Sequence, residues 1–296
     1  MDILTKIIKE KIPCFFISPH LDDTILSAGG MISHLANKTK VTVITIFTTG
    51  NSPPHTRFAK KYMKTCNYKD VNAYFGDRKE EDIQVLKSIQ VNFQHLDFID
   101  AAYRKKGHLN KLHALFGSRL PELIHLYPFN SSLRSGKIDD VDENIIKDIK
   151  RSLINLLNSK FEYRNPKQIQ NLNDQNSKKT SFENLNLKNS NLFRISDLGF
   201  RIFCPLAIGN HVDHVIVRDL CVKLFKQNLI FWTDYPYINW ENTAEDFIKK
   251  LKLKSFIWEK NLDKKRKLIL GYKSQISALF PKKVPFTFPS EVFYMS

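Results

Sequence analysis

A short apolar run at residues 12–17 ends directly at the sequence SPHLDD of residues 18–23. The run has the length of a buried strand, and the apolar positions after Asp23 recur with a helical period. One imidazole, His20, and two carboxylates, Asp22 and Asp23, therefore stand at a predicted strand-to-helix turn. Ligands of parallel sheets bind beyond the carboxyl ends of the strands, so these residues are candidates for a binding or catalytic site.

The rest of the chain continues the alternation of strands and helices. Such alternation predicts an α/β fold with a mostly parallel central sheet. Gly29 and Gly30, inside the first predicted helix, each cost about 1 kcal/mol relative to alanine, which indicates that another backbone or a ligand lies close to them. The predicted strands are residues 12–17, 41–47, 91–98, 201–206 and 229–232, and the predicted helices are residues 23–37, 58–66, 77–88, 138–158, 212–225 and 262–280.

The chain of 296 residues shows no internal repeat and no clean domain boundary. We therefore expect a single domain over residues 1–296. Residues 165–191 include eight asparagines and lack apolar periodicity, which predicts a mobile surface insertion. No apolar run reaches the roughly 18 residues of a membrane-spanning helix. The charged residues 1–11 argue against a cleaved signal peptide.

Cysteine usage and charge restrict the remaining classes of function. Cys14, Cys66, Cys204 and Cys221 form no paired motif, which predicts free thiols in a reducing cytoplasm. The net charge of +16 would suit a nucleic-acid-binding protein, but residues 247–283 contribute +10 of it, with twelve Lys or Arg against two acidic residues. That segment is rich in Lys rather than Arg and has helical periodicity. We favour a solvated basic face over an anionic partner there.

A second cluster of histidine and aspartate occurs at residues 211–214, HVDH. In a helix that begins near His211, the side chains of His211 and His214 fall on one face. Imidazole nitrogen and carboxylate oxygen are ligands that suit Zn²⁺, and a catalytic zinc has three protein ligands. We therefore expect His20, Asp23 and His214 to meet at one metal site.

The neighbours of these ligands carry the functional groups of a hydrolase. Asp22 lies beside a ligand and is free to take a proton from water, while His211, held by Asp213, can donate a proton or stabilise an oxyanion. Each cluster alone is also compatible with a structural histidine or a helix N-cap. The presence of both clusters at predicted strand ends favours the metal site.

These motifs resemble the PIG-L/LmbE-like family of zinc-dependent N-acetylglucosaminyl deacetylases. The resemblance extends from about residue 13 to residue 275, outside the Asn-rich segment. It rests on residues 18–23 followed by Gly29 and Gly30, on residues 211–214, and on weaker matches at Thr49-Gly50, Arg78, Glu81 and Ser274-Gln275.

The resemblance implies a Rossmann-like three-layer fold with one Zn²⁺ per chain, and Fe²⁺ as an alternative ion in the cell. It implies that the zinc ligands are His20, Asp23 and His214. Asp22 would be the general base, His211 would stabilise the oxyanion or act as an acid, and Asp213 would orient His211. Two departures are Thr24, where the family often has an acidic residue, and the sequence IGN at 208–210, which lacks a tyrosine that some members use near the oxyanion.

Several charged and aromatic residues are candidates for substrate binding. Sugar sites often stack rings on aromatic side chains and bind hydroxyls with charged ones. For Arg78 a structural pair with Glu81 along one helix is the slightly favoured alternative, and for the tyrosines packing or turn roles are equally compatible. The candidates are Arg78, Asp100, Tyr103, Arg104, Asp234 and Tyr237.

The sequence thus predicts a cytoplasmic, zinc-dependent N-deacetylase that acts on a small-molecule N-acetylated amino sugar or its conjugate. One alternative is an amidase that acts on a sugar-thiol or another non-acetyl amide conjugate. Another is a basic polyanion-binding protein with a relict metal site, although a binding role does not need Asp22 beside Asp23. Nucleic acid is therefore disfavoured as a partner, and association into a homo-oligomer is left open.

Overall fold

The computed structural model describes residues 3–107, 116–162, 199–225, 228–241, 244–280 and 288–296. The predicted Asn-rich insertion at residues 165–191 lies outside the described residues. Within these ranges, seven strands form one sheet. They are β1 (Cys14–Ser18), β2 (Val41–Thr49), β3 (Asn92–Ile99), β4 (Arg201–Pro205), β5 (Leu229–Trp232), β6 (Lys254–Trp258) and β7 (Glu291–Met295).

Helices join the strands and cover both faces of the sheet. No helix in the described ranges is both long and apolar enough to cross a bilayer. The helices are α1 (Ile3–Lys9), α2 (Asp23–Leu35), α3 (Arg57–Thr65), α4 (Val71–Ser88), α5 (Asn130–Leu133), α6 (Glu143–Glu162), α7 (Val212–Phe225), α8 (Glu245–Leu251), α9 (Leu262–Ile269) and α10 (Lys273–Leu279).

The strand order is β3-β2-β1-β4-β5-β7-β6. Strands β1 to β5 are parallel, and β7 pairs antiparallel with both β5 and β6, so β7 alone among these strands runs in the opposite direction. All five residues of β1 are buried. Cys14 and Phe16 belong to the core that includes α2, whereas Phe15 and Ile17 belong to the core that includes α6 and α7. The predicted α/β fold with a mostly parallel central sheet is confirmed.

The chain order of the strands reverses at β1. From β1 the chain moves outward to β2 and β3, and it returns to β4 on the other side of β1. Such a switch point opens a crevice at the carboxyl ends of the two central strands. His20 follows β1 and His211 follows β4, so the sheet topology brings the two predicted clusters to the same crevice.

The single long helix predicted at residues 262–280 is wrong, because the chain breaks into α9 and α10 around Gly271. The Gly271 N–H donates to the carbonyl of Leu268 in a turn. A Cβ at Gly271 would lie 2.4 Å from Cγ2 of Val85, so only glycine permits this approach to α4. Apolar residues on both sides of the break face the core, so the helical period of apolar residues continues across it and the sequence does not reveal the break.

Helix α2 kinks at Ala28, whose φ of −133° and ψ of 18° are not helical. The kink leaves the N–H groups of Gly30 and Met31 to donate to the two carboxylate oxygens of Glu291, at 2.8 and 2.9 Å. A Cβ at Gly30 would lie 2.8 Å from the carbonyl oxygen of Lys260. The expected close approach to the glycine pair is confirmed, and its source is the C-terminal part of the chain.

One lysine of the basic segment at residues 247–283 is not solvated. Lys265 is 2% exposed, and its Nζ lies 3.0 Å from Oε1 of Glu291. The prediction of a solvated face is therefore wrong for this residue, although Lys264 and Lys267 are exposed. Glu291 thus balances a buried cation and also accepts the two free amides of α2. The four cysteines are buried free thiols, in agreement with the sequence.

Replacement of Glu291 by alanine leaves Lys265 buried without a counter-charge and two buried amides without an acceptor. We expect the free energy of unfolding in urea to fall by about 3–5 kcal/mol, the usual cost of breaking a buried ion pair from one side. The matched control, Glu245→Ala, breaks the exposed Glu245–Lys249 pair of 3.2 Å. It should cost less than about 0.5 kcal/mol. Equal losses in the two variants would contradict this account.

Candidate metal centre and active site

Two histidines converge on one carboxylate oxygen at the switch point. Oδ2 of Asp23 lies 3.0 Å from Nδ1 of His20 and 3.2 Å from Nε2 of His214. The backbone N–H of His20 also donates to this oxygen, at 2.9 Å. The ligand atoms of the three residues all lie within 4.8 Å of one another, so they can hold one metal ion.

Local structure presents these side chains to the crevice. Asp23 is the first residue of α2, and Asp22, at the N-cap position, makes no side-chain cap hydrogen bond. The carboxylate of Asp22 is therefore not used as a helix cap, which was the structural alternative for this pair. His214 lies in the first turn of α7, where the strand-to-helix loop after β4 brings it opposite Asp23.

Each candidate histidine ligand has a carboxylate at its other ring nitrogen. Nε2 of His20 lies 3.1 Å from Oδ2 of Asp213, and Nδ1 of His214 lies 2.7 Å from Oδ1 of Asp234. The second oxygen of Asp234 accepts the N–H of Ile208 at 2.9 Å. Carboxylates in this position fix the ring orientation and tautomer of metal-binding histidines.

Asp234 is 1% exposed and is not among the residues that line the cavity. The structure thus places it against His214, in the position of a residue that orients this ring, and not at the cavity, where the predicted substrate binding would place it. No local signal in the sequence distinguishes these two roles, because the partner of Asp234 lies 20 residues away.

The carboxylate of Asp213 does not contact the side chain of His211, contrary to the expected orientation. It lies against His20, the backbone N–H of Ala101 and the guanidinium of Arg104. Only its backbone N–H donates to Nδ1 of His211, at 3.3 Å. The expected support of His211 therefore comes from the main chain of Asp213.

Arg104 is likewise buried away from the cavity, at 4% exposure. Its Nη1 pairs with Oδ2 of Asp142 at 2.5 Å, and its Nε donates to the carbonyl of Ile99 at 2.9 Å. Arg104 is not among the residues that line the cavity, so the structure does not bring it together with the other candidates for substrate contact. The residue neutralises Asp213 and fixes its position.

Burial and charge pairing shift the protonation of the candidate ligands. Burial lowers the pKa of His214, but the adjacent carboxylates of Asp23 and Asp234 outweigh this and raise it to about 9. Burial raises the pKa of Asp23, and His214 and His20 more than reverse this, so its pKa lies well below the usual range. Burial and the neighbouring His20 and His214 hold the pKa of His211 well below its ordinary value, so that ring is neutral.

Asp22 is the carboxylate beside the candidate ligands that stays out of their cluster. Burial raises its pKa to about 6, against the lowering effect of Arg78. Nη2 of Arg78 lies 3.7 Å from Oδ1 of Asp22, and the guanidinium also lies over the rings of Tyr74 and Phe75. Arg78 therefore compensates the charge of the buried Asp22 carboxylate from a distance longer than a direct hydrogen bond.

The favoured pairing of Arg78 with Glu81 is wrong. Glu81 instead accepts two hydrogen bonds from Ser274, one from its N–H at 2.9 Å and one from its hydroxyl at 2.6 Å. The neighbouring Gln275 contacts the hydroxyl of Tyr74 at 3.3 Å. The two weak sequence matches, at Arg78–Glu81 and Ser274–Gln275, thus meet across the interface between α4 and α10.

A cavity of about 170 Å³ opens beside these groups. Of the sequence candidates, Asp22, Arg78, Asp100, Tyr103, His211 and Tyr237 line it, together with His20 and Asp23. Sequence reasoning missed further wall residues, because they lie in segments without a recognisable motif. The missed residues are Phe58, Ala59, Tyr62, Tyr74, Ala102, Asn130, Leu133, Arg134 and Leu279.

The charge balance of the site suits a divalent cation. Asp22, Asp23 and Asp213 are buried around the cavity, and buried carboxylates need compensating charge. Arg78 and Arg104 each lie against one of these carboxylates. Oδ2 of Asp23 faces one imidazole nitrogen of His20 and one of His214. Carboxylate oxygen and imidazole nitrogen are ligands that bind zinc, so the residues present fit the ion.

A second group, His20, His211 and Asp213, also has ligand atoms within 4.8 Å of one another. Asp213 in that group is already engaged by Arg104. We therefore favour the group His20, Asp23 and His214 as the metal site.

Comparison with known families agrees with this geometry. The model of the PIG-L family, described as GlcNAc-PI de-N-acetylase, matches residues 15–225. The chain belongs to the PIG-L family. The match includes both histidine and aspartate clusters, all of β1 except Cys14, the strands β2 to β4, and α7. The resemblance stated from the sequence is confirmed. No curated protein matches the sequence.

Solved structures share this PIG-L fold over nearly the whole chain. A deacetylase from the teicoplanin biosynthesis pathway has 19% identity and a TM-score of 0.61, with 95% of this chain and 96% of that chain covered. The zinc-inhibited form of the teicoplanin deacetylase Orf2 has 17% identity and a TM-score of 0.58, over 95% and 97%. The A40926 pseudoaglycone deacetylase Dbv21 has 19% identity and a TM-score of 0.56, over 96% and 97%.

The two departures from the family pattern lie next to the PIG-L site. Thr24 is buried, and its hydroxyl has no hydrogen-bond partner among the described residues. Gly209, in the loop before His211, has a φ of +83°, and a Cβ there would lie 3.2 Å from the ring of Tyr237. Tyr237, from a different segment, thus occupies the space beside the loop that lacks a tyrosine.

The metal site can be tested by the affinity for Zn²⁺, measured by competition with a chelator. His214→Ala should reduce the affinity by more than about 100-fold, because a direct ligand is lost and not only the carboxylate that orients one. Asp234→Asn should reduce it about 10–100-fold, as expected for loss of the carboxylate that orients a ligand. The control His34→Ala, in the last turn of α2 and thus at the opposite end of that helix from Asp23, should leave it unchanged. Equal affinities in all three variants would exclude this metal site.

Proposed function

We propose that this chain is a metal-dependent N-deacetylase that removes the acetyl group from an N-acetylated amino sugar or its conjugate. The proposed ligands of one Zn²⁺ are His20, Asp23 and His214. The observation that carries the proposal is the convergence of both histidines on Oδ2 of Asp23, beside the unchelated carboxylate of Asp22. Membership of the PIG-L family and the fold shared with antibiotic deacetylases support the same reaction.

Asp22 is the proposed general base. When bound, the ion supplies Lewis-acid activation of the attacking water and of the acetamide carbonyl. Asp22 takes a proton from that water as it attacks, because its carboxylate lines the cavity and is not a ligand. Arg78, 3.7 Å away, favours the ionised form of Asp22 that this step requires.

His211 is the proposed stabiliser of the oxyanion. A backbone N–H can only donate, so Nδ1 of His211 accepts from Asp213 and the proton of the neutral ring resides on Nε2. A neutral ring with this proton in the cavity wall can donate a hydrogen bond to the developing negative charge. The amine leaves after protonation by Asp22 or by His211, the two proton-carrying groups beside the reacting carbonyl.

The remaining cavity walls are the proposed contacts for the sugar. Arg78 and Asp100 supply charged groups that bind hydroxyls, and Tyr103 and Tyr237 supply aromatic rings. Asp100 is held in place because one of its oxygens accepts the N–H of Ala102 at 2.8 Å. These four residues are those of the sequence candidates that reach the cavity.

The proposal is tested by release of acetate from N-acetylglucosamine and its glycosides by the zinc-loaded protein. We expect Asp22→Asn to keep about one zinc per chain and to lose at least about a hundredfold in kcat, the usual contribution of a positioned base. The control Asp219→Asn removes an exposed carboxylate and should retain both properties.

Wild-type kcat/KM should fall as the pH drops below about 6, because Asp22 becomes protonated and no longer accepts a proton. An Asp22→Asn protein that binds zinc and deacetylates at the wild-type rate would refute the mechanism. Release of a different acyl group, with no acetate from any sugar, would instead identify an amidase acting on a non-acetyl conjugate.

A further inference from the structure

The cavity beside Asp22 and Asp23 is small for a complete substrate. Its volume of about 170 Å³ is below the 300–1,000 Å³ typical of sites that enclose a whole small molecule. It therefore suits the acetylated ring alone. A group attached to that ring would then extend to the surface at the cavity rim, which is formed by Arg134, Tyr237, Trp240 and Glu241.

A row of aromatic rings leads from the metal site to that surface. The ring of Tyr237 lies edge-on to His214, with 5.9 Å between centroids, and edge-on to Trp240, with 6.3 Å. Tyr237 lines the cavity, whereas Trp240 is 58% exposed. More than half of the Trp240 side chain is thus exposed to solvent, although it contacts Tyr237 in the cavity wall.

A charged pair borders the same ring. The guanidinium of Arg134 lies 5.3 Å from the centroid of Tyr237, and its Nη2 pairs with Oε1 of Glu241. Both side chains remain partly exposed, at 27% and 37%. Arg134 also lines the cavity, so the pair continues the cavity wall toward Trp240.

Two side chains of this rim, Tyr237 and Arg134, pack against the loop that precedes His211. A Cβ at Gly209 would lie 3.2 Å from the ring of Tyr237 and 3.3 Å from Nη2 of Arg134, so the loop before His211 packs against both side chains. The N–H of Trp240 donates to the carbonyl of Tyr237 at 3.0 Å, which holds the two aromatic residues in one short turn. The rim is therefore preorganised relative to the reacting groups.

We propose that Trp240, Tyr237, Arg134 and Glu241 form an outer subsite for a second sugar ring, so that the substrate is a disaccharide or longer glycan. This inference rests on the proposed deacetylase function. A sugar ring offers C–H groups that pack on an aromatic side chain and hydroxyls that bond to charged side chains, and the rim provides both next to each other. A lipid or aryl aglycone would use Trp240 but would cover the partly exposed Arg134–Glu241 pair without offering it hydrogen bonds in place of water.

The first experiment compares kcat/KM for acetate release from N-acetylglucosamine and from its β-1,4-linked disaccharide. We expect the wild-type protein to prefer the disaccharide. Trp240→Ala should reduce the ratio of the two kcat/KM values about tenfold, as expected for loss of one aromatic contact. Trp240→Phe should keep most of the ratio. The control Ile257→Ala, 64% exposed on the edge strand β6, should leave the ratio and the basal activity unchanged.

Two results would overturn the subsite. One is an unchanged ratio in Trp240→Ala. The other is an equal or larger effect of Trp240→Ala on the octyl and nitrophenyl glycosides of N-acetylglucosamine, which would identify the rim as a platform for an apolar aglycone.

A binding measurement separates failure of the subsite from failure of the deacetylase function. Saturation-transfer NMR of the disaccharide on the Asp22→Asn protein needs no turnover. Both sugar rings should receive saturation, and the additional variant Trp240→Ala should abolish the signal of the outer ring only. Saturation of both rings without acetate release from the wild type would refute the proposed reaction and keep the subsite. No saturation of the outer ring would refute the subsite, whatever the activity.

Discussion

The burial of several carboxylates at one sheet edge is the constraint on which the rest of the site depends. Asp22, Asp23, Asp213 and Asp234 are all less than a tenth exposed, and each must be paired because an unpaired buried charge is costly. Arg78 faces Asp22, Arg104 faces Asp213, and His214 faces Asp234. Oδ2 of Asp23 then lies between His20 and His214, and these three residues can hold one metal ion.

The sheet topology brings these carboxylates and the histidines together at one site. The reversal of strand order places the ends of β1 and β4 next to each other, so residues almost 200 positions apart meet at one point. The different proposed roles of Asp22 and Asp23 follow from the directions in which their side chains point. Asp23 points toward the histidines from the first turn of α2, whereas Asp22, one residue earlier, faces the cavity and Arg78. A proposed ligand and a proposed base thus come from adjacent residues.

The sequence predicted the elements that have local signals. The apolar run of β1, the helix of residues 212–225 and the two histidine and aspartate clusters follow from periodicity and from side-chain chemistry. Long-range partners have no such signal. The break at Gly271 depends on Val85, the kink of α2 depends on Glu291 in the last strand, and the positions of Arg104 and Asp234 depend on charges distant in sequence. The wall residue Arg134 was missed for the same reason.

The central claim is that His20, Asp23 and His214 hold one divalent metal ion next to Asp22. Anomalous diffraction at the zinc absorption edge, from crystals grown with one equivalent of Zn²⁺, tests it most directly. The account predicts a single anomalous peak within bonding distance of Nδ1 of His20, the carboxylate of Asp23 and Nε2 of His214. The absence of a peak there, or a peak between His20, His211 and Asp213 instead, would contradict it.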